Sequence, residues 1–428
     1  MNKVYNPEKN SWSSLVKRPL YSLDSVKDIV DKIFTNVEIY GDRALVDYTN
    51  KFDKVNLNDL CVSDEKINNS ENDLDKDLKE SINIAFNNIY KFHQNQVFNS
   101  KKIETTSGVI CWQEKRAIEN VGLYIPGGTA PLFSSVLMLA IPAMIANCKN
   151  IVLCSPPNDK GELHPAILYC AKLCKVNKVI CVGGAQSIAA MSIGTESVPK
   201  VNKIFGPGNQ YVTYAKLKSI NFNTAIDMPA GPSELLVLAD KNANPSYIAS
   251  DLLSQAEHGP DSQVIFVSLS KSLINEVEKC INDQIENLDR KDFINKSISN
   301  SKLLFFKNKF DAVEFINQYA PEHYIINVDN ESFFIDNIKS AGSVFIGNYT
   351  PESAGDYASG TNHTLPTNGN AKQYSGVNLD SFLKTITFQK LSKDGLLNIS
   401  KTVETMAEAE GLQAHKNAVS IRVKDLKN

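Results

Sequence analysis

Ile151-Val152-Leu153-Cys154, then a helix-length stretch at 165–175, then Val179-Ile180-Cys181-Val182: this run decides the fold class. Neither apolar tetrapeptide alternates with polar residues, so each reads as a strand buried on both faces. A helix-length segment between two such strands predicts a βαβ unit, whose strands lie parallel. Working outward, Leu235-Leu236-Val237-Leu238, Val264-Ile265-Phe266-Val267 and Val344-Phe345-Ile346 repeat the signal. Strands occur before and after Asp240, so two α/β units are expected. The chain before about Val121 has a different period. Val26, Ile29, Val30, Ile33 and Val37, and later Ile82, Ala85, Phe86 and Ile89, recur at helical spacing. The acidic, Asn-rich segment 56–79 reads as a surface excursion. After Ser381 the pattern turns helical again. Val403, Met406 and Ala407 lead to Glu410, Gly411 stands where a helix would end, and a second helical segment at 412–419 carries His415. That tail is too short for its own core, which implies packing on another body such as a second subunit. The chain shows no internal repeat.

Composition narrows the function classes. The 428 residues are 42% hydrophobic and 22% charged, as in a globular enzyme, and a net charge of -3 gives no electrostatic footprint for nucleic acid. The longest apolar stretch, 136–146, contains Pro142 and is shorter than the roughly 20 residues a membrane helix needs. The N-terminus is polar with no apolar leader, so a cytoplasmic protein is expected. None of the eight cysteines forms a Cys-x-x-Cys pair. They read as reduced thiols, and any metal would be held by nitrogen and oxygen.

Six histidines are present, and three have suggestive neighbours. Gln255 and His258, in Ser-Gln-Ala-Glu-His, share one face if helical and could meet one ion, although the same spacing serves a helix cap. Glu322-His323 follows Pro321 and precedes the strand-like Tyr324-Ile325-Ile326, which suits proton transfer or a solvated turn. Asp356 lies in a Gly-flanked segment read as a loop, from which it could reach a metal or simply make a turn. Glu410 and His415 flank Gly411. Glycine-rich turns at 124–128, 183–186 and 205–209 would let backbone approach a phosphate. In the last, Pro207 removes a donor and Tyr211 stands where a glycine is needed, so the G-x-G-x-x-G fingerprint is absent. A zinc hydrolase could use Gln-x-x-His with a distant Asp and His, but would not need these turns. A binding protein without turnover leaves Glu322-His323 without a task.

The ordered set 121–128 (Val-Gly-Leu-Tyr-Ile-Pro-Gly-Gly), 183–186, 205–209, 227–234 (Asp-Met-Pro-Ala-Gly-Pro-Ser-Glu), 254–263, 320–323, 353–363 and 410–415 (Glu-Gly-Leu-Gln-Ala-His) resembles the histidinol dehydrogenase family. The resemblance implies two Rossmann-like α/β domains without the G-x-G-x-x-G fingerprint, a small helical N-terminal segment and a helical C-terminal tail. It implies an arm at 1–22, a discontinuous metal-bearing α/β domain at 23–122 plus 236–378, an NAD-binding domain at 123–235, and a tail at 379–428 crossing a homodimer. The activity implied is oxidation of L-histidinol to L-histidine, through L-histidinal, in two NAD-dependent steps of histidine biosynthesis. One zinc ion per subunit would be held by Gln255, His258, Asp356 and His415. Glu322 and His323 would move protons. Ser233, Glu410 and His323, with the four metal ligands, would contact substrate, and Tyr124, Gln186 and Asn209 would contact NAD. Zinc accepts such a donor set, and a substrate bearing an imidazole and an amine could add two nitrogens, so the metal would act as a clamp. A cysteine thiohemiacetal is the alternative for the second step, but no cysteine lies in a motif.

Overall fold

The computed structural model describes residues 1–19, 24–97, 101–127, 131–229 and 231–428. Gly128, at the end of the first glycine-rich turn, Ala230 and residues 20–22 of the arm lie outside the described residues. The chain divides into two compact units, Met1–Gln96 with Ile118–Phe382, and Val97–Ala117 with Leu383–Asn428.

The larger unit holds two parallel sheets with helices between their strands, the α/β class expected. Five strands run in the order Lys178–Ile180, Asn150–Cys154, Asn120–Tyr124, Lys203–Phe205 and Ala225–Ile226. Val121, Leu123 and Leu153 are fully enclosed, as strands covered on both faces require. The intervening helix is Pro165–Leu173, with Pro165 in its first turn where a missing N–H costs nothing. The chain winds outward in both directions from Asn120–Tyr124, so the sheet reverses its winding between that strand and Lys203–Phe205. Loops diverge at such a point and leave a crevice beyond the carboxyl ends of the strands.

The second sheet has six parallel strands, in the order Asn2–Tyr5, Lys302–Phe305, Gln263–Ser268, Glu234–Ala239, His323–Asn327 and Ser343–Ile346. Its winding reverses between Glu234–Ala239 and His323–Asn327. The arm is therefore partly a strand. Asn2–Tyr5 is polar and half exposed because it forms the sheet edge. The helix Asp24–Tyr40 buries Val30, Ile33, Phe34 and Val37 against the five-stranded layer, while Ile29 faces solvent. The segment 56–79 is more than a surface excursion. Leu60 is 3% exposed, its carbonyl accepts from the Cys181 amide at 2.8 Å, and Cys61 bridges to Ile180. This pairing covers the edge strand Lys178–Ile180, an edge that would otherwise present unpaired backbone groups.

The smaller unit is an antiparallel sheet of Leu383–Leu391, Val109–Ala117 and Ile103–Thr106, followed by helices Lys393–Ala409 and Gln413–Lys427. The helical tail is thus preceded by a nine-residue strand that the sequence reading passed over. Gly411, at φ 74°, ends the first helix as expected. The Gly411 amide donates to Glu408 O and the Leu412 amide to Ala407 O. The last helix buries none of its own residues. Among the described residues no helix is long and apolar enough to cross a membrane.

Candidate active site

A cavity of about 670 Å3 opens in the larger unit, within the range of small-molecule sites. Its walls come from opposite ends of the two sheets. From the five-stranded sheet come Pro126, Pro207 and Asn209, beyond the carboxyl ends of the strands. From the six-stranded sheet come Ser233 and Glu322-His323, at the amino ends of Glu234–Ala239 and His323–Asn327.

Glu322 and His323 are 5% and 4% exposed. One residue of the neighbouring strand fixes both. The Glu234 amide donates to Glu322 Oε2 at 2.8 Å, and His323 Nδ1 lies 3.1 Å from the Glu234 carbonyl oxygen. A carbonyl only accepts, so Nδ1 carries the proton. Nε2 is then the lone-pair nitrogen, and it is buried without a hydrogen-bond partner among the described residues. Asp356 Oδ1 is 3.8 Å from Nε2, and Glu352 Oε1 is 3.3 Å from Nδ1. Burial pushes the imidazole down to about 4, against the opposing pull of Asp356, so the ring is neutral at physiological pH. Burial also holds the Glu322 carboxyl well above the usual carboxylate range. A raised acid beside a neutral imidazole is the arrangement that proton transfer near neutral pH requires.

Gln255 is fully buried in the helix Pro245–Ala256. Its neighbour Glu352 can only accept when ionised, and beside the ionised carboxylate the amide nitrogen faces Oε2 at 3.3 Å. The amide oxygen is thereby turned away from Glu352. His258 does not share the helix with Gln255, contrary to expectation. The helix stops at Ala256, and His258 sits exposed in the turn that follows, its amide donating to Gln255 O at 3.3 Å. Both residues still line the cavity. Asp356 also departs from expectation, lying in the short helix Glu352–Tyr357 instead of a loop. Gly355 lets that helix close on the sheet, since a Cβ there would come within 2.6 Å of the Phe345 ring.

Two residues the sequence reading left unassigned belong to this cluster. Glu352 is 2% exposed and lies one helical turn before Asp356, so the i, i+4 spacing of two acids was its available signal. His363 lines the cavity, with Nδ1 3.0 Å from Asp356 O and Nε2 3.2 Å from Ser135 Oγ. Burial lowers its pKa from the ordinary value. One donor atom each from His323, Glu352 and Asp356 lie within 4.8 Å of one another, close enough to hold a cation.

The remaining expected residues fall in different settings. Asn209 lines the cavity and caps the helix Gln210–Ser219, accepting from the amides of Tyr211 and Val212. Tyr124 and Gln186 are 4% and 2% exposed, and the Tyr124 hydroxyl accepts from the Gly184 amide at 3.3 Å. Burial pushes the Tyr124 phenol up to about 12. Glu410 and His415 belong to the smaller unit, where both are exposed.

Comparison with known proteins agrees over the whole length. The histidinol dehydrogenase family model matches residues 16–423. Histidinol dehydrogenase of Bacteroides thetaiotaomicron is 53% identical over 427 residues, covering 100% of both chains. The chloroplastic histidinol dehydrogenase of Arabidopsis thaliana is 52% identical, covering 96% of this chain and 89% of its own. A crystal structure of histidinol dehydrogenase from Elizabethkingia anophelis superposes with a TM-score of 0.98 at 50% identity, covering 100% of this chain and 99% of that one. The chain belongs to the histidinol dehydrogenase family.

Proposed function

We propose that this protein oxidises L-histidinol to L-histidine in two NAD-dependent steps through L-histidinal, as a zinc-dependent cytoplasmic homodimer. The observation that carries this reading is the locked His323 ring, with Nδ1–H on the Glu234 carbonyl and Nε2 buried without a hydrogen-bond partner among the described residues, beside a buried Glu322. His323 Nε2 takes the hydroxyl proton as hydride leaves the substrate carbon. Glu322 then removes a proton from a water that adds to the aldehyde carbon. His323, having released its first proton, takes the next one as the hydrated carbon gives up its second hydride. Burial serves both steps, because a dry site strengthens each interaction and keeps stray water from the aldehyde.

The residues present fit a resident metal. Gln255 offers an amide oxygen, Asp356 a carboxylate and His258 an imidazole at one cavity wall. A buried carboxylate, Glu352, and a partly buried one, Asp356, are drawn together there without a buried cation among their contacts with the described residues, an arrangement a divalent ion would relieve. Zinc held by Gln255, His258, Asp356 and His415 would supply a clamp for the substrate's imidazole and amine nitrogens. The exposed His415 and Glu410, on helices that bury little of their own surface, support a tail that completes the neighbouring subunit's site. Ser233 would contact the substrate. Asn209, Tyr124 and Gln186 would serve NAD, and the last two are enclosed enough to act by shaping the floor of its site.

A second reading has its own observation, the close group His323, Glu352 and Asp356, in which His323 would be a metal ligand and not a base. Turnover tests the main reading. Purified protein with zinc, NAD and histidinol should form two reduced cofactors per histidinol consumed. One per histidinol removes the second oxidation, and none removes the dehydrogenase reading.

A further inference from the structure

The arm at the start of the chain carries no motif, yet it delivers a buried cation to the floor of the site. Arg18 is 11% exposed at its side chain and pairs with Glu234, which is 2% exposed. The pairing is a two-pronged fork. Nε donates to Glu234 Oε1 and Nη2 to Oε2, each at 2.9 Å, the geometry only a guanidinium provides. Nη2 also donates to the Tyr319 carbonyl at 2.6 Å, and the guanidinium lies 3.8 Å from the Tyr319 ring centre.

These contacts join the two backbone segments that hold the proton-transfer pair. Glu234 is the residue whose amide binds Glu322 and whose carbonyl binds His323. Tyr319 ends the helix Lys309–Tyr319, and Ala320 and Pro321 follow it directly before Glu322. Ala320 is held at φ 54°, a left-handed conformation that strains a residue with a side chain and persists only where the surroundings fix it. Glu234 Oε1 further accepts from the Asn368 amide at 2.7 Å, and both Asn368 and Pro19 line the cavity. One guanidinium thus ties together the entry to the Glu234 strand, the turn into Glu322-His323 and a wall of the site.

We infer that Arg18 is a positioning residue for Glu322 and His323, setting their geometry through the Glu234 peptide and the Tyr319–Pro321 turn without touching substrate. The inference rests on the roles proposed for that pair. Arg18 contacts neither the metal donors nor the cofactor-side turn among the bonds described. Its loss should therefore act on the chemical step alone.

The test is steady-state kinetics and metal analysis of Arg18→Ala in the full-length zinc enzyme. A displacement of about 1 Å at a reacting group costs about 10²-fold, so kcat should fall by that order. KM for NAD and zinc content should stay at wild-type values. An unchanged kcat overturns the inference. So does a kcat loss matched by lost zinc or a raised KM for NAD, which marks general structural damage. If Arg18→Ala does not fold, Arg18→Lys keeps a cation beside Glu234 but cannot fork, and the same kinetic pattern is expected of it. Wild-type kcat in Arg18→Lys then overturns the inference. Wild-type enzyme run alongside separates the two claims. An active wild type with an unaffected variant removes only the positioning role, whereas an inactive wild type removes the functional reading on which it rests.

Discussion

His323 and Glu234 are joined by a 3.1 Å contact between Nδ1 and a backbone carbonyl oxygen, and that contact decides which nitrogen can accept a proton. Backbone cannot titrate or rotate away as a side chain can. The tautomer is therefore set by the register of two parallel strands, in which His323 stands opposite Leu235.

The buried neutral ring links protonation to stability. The folded His323 has its pKa depressed to about 4 from an ordinary 6.5. The unfolded chain therefore binds a proton between those values and the folded one does not. The stabilising contribution is fully present above about pH 6.5 and is lost as pH falls toward 4, a difference on the order of 3 kcal/mol. Urea unfolding of metal-free wild type and His323→Asn at pH 7 and pH 4 should show the gap between the two proteins shifting by that order against wild type at the lower pH. Comparing the pair cancels the carboxylates they share. A pH-independent gap would contradict a buried neutral ring.

Glu322 is assigned to the water that enters before the second oxidation. Glu322→Gln should lose about 10²–10⁴-fold in the oxidation of supplied histidinal, the range for a general base. The half-reaction from histidinol to the aldehyde, followed in a single turnover, should suffer less. Equal activity on histidinal would end the water-activating role.

Glu352 orients Gln255 and stands beside His323. Groups that orient a metal ligand typically contribute 10–100-fold in metal affinity. Chelator competition on Glu352→Ala should therefore show zinc held about 10–100-fold more weakly. Unaltered zinc affinity would remove Glu352 from the metal's surroundings.

The tail makes a prediction about mixed dimers. Asp356→Ala and His415→Ala should each be inactive alone. If the tail serves the neighbouring subunit, a mixed dimer restores one of its two sites. Random reassociation of equal amounts should then recover about a quarter of wild-type activity, since half the dimers are mixed. No recovery would place His415 in the site of its own chain.

Much of the fold was legible because its strands are continuous apolar runs, as at Ile151–Cys154 and Leu235–Leu238. Several strands were missed, including Ile103–Thr106, Val109–Ala117 and Lys302–Phe305, and two more are of another kind. Asn2–Tyr5 is a polar edge, and Leu383–Leu391 is largely exposed, so neither carries a burial signal. His258 was placed on a helix that ends at Ala256, just before Gly259-Pro260, where proline disfavours helical backbone in the residue before it. The proton-transfer pair was visible as adjacent residues at a strand entrance. Its supports were not. Arg18 and Glu234 are 216 positions apart, and only the packed chain brings a cation from the arm beneath the site.

The central claim is that His323 moves protons while other residues hold the metal. Zinc content and turnover of His323→Asn, measured on the same preparation, test it directly. The account expects one zinc per subunit, as in wild type, with turnover reduced about 10²–10⁴-fold. Loss of zinc from that variant would contradict it and make His323 a ligand.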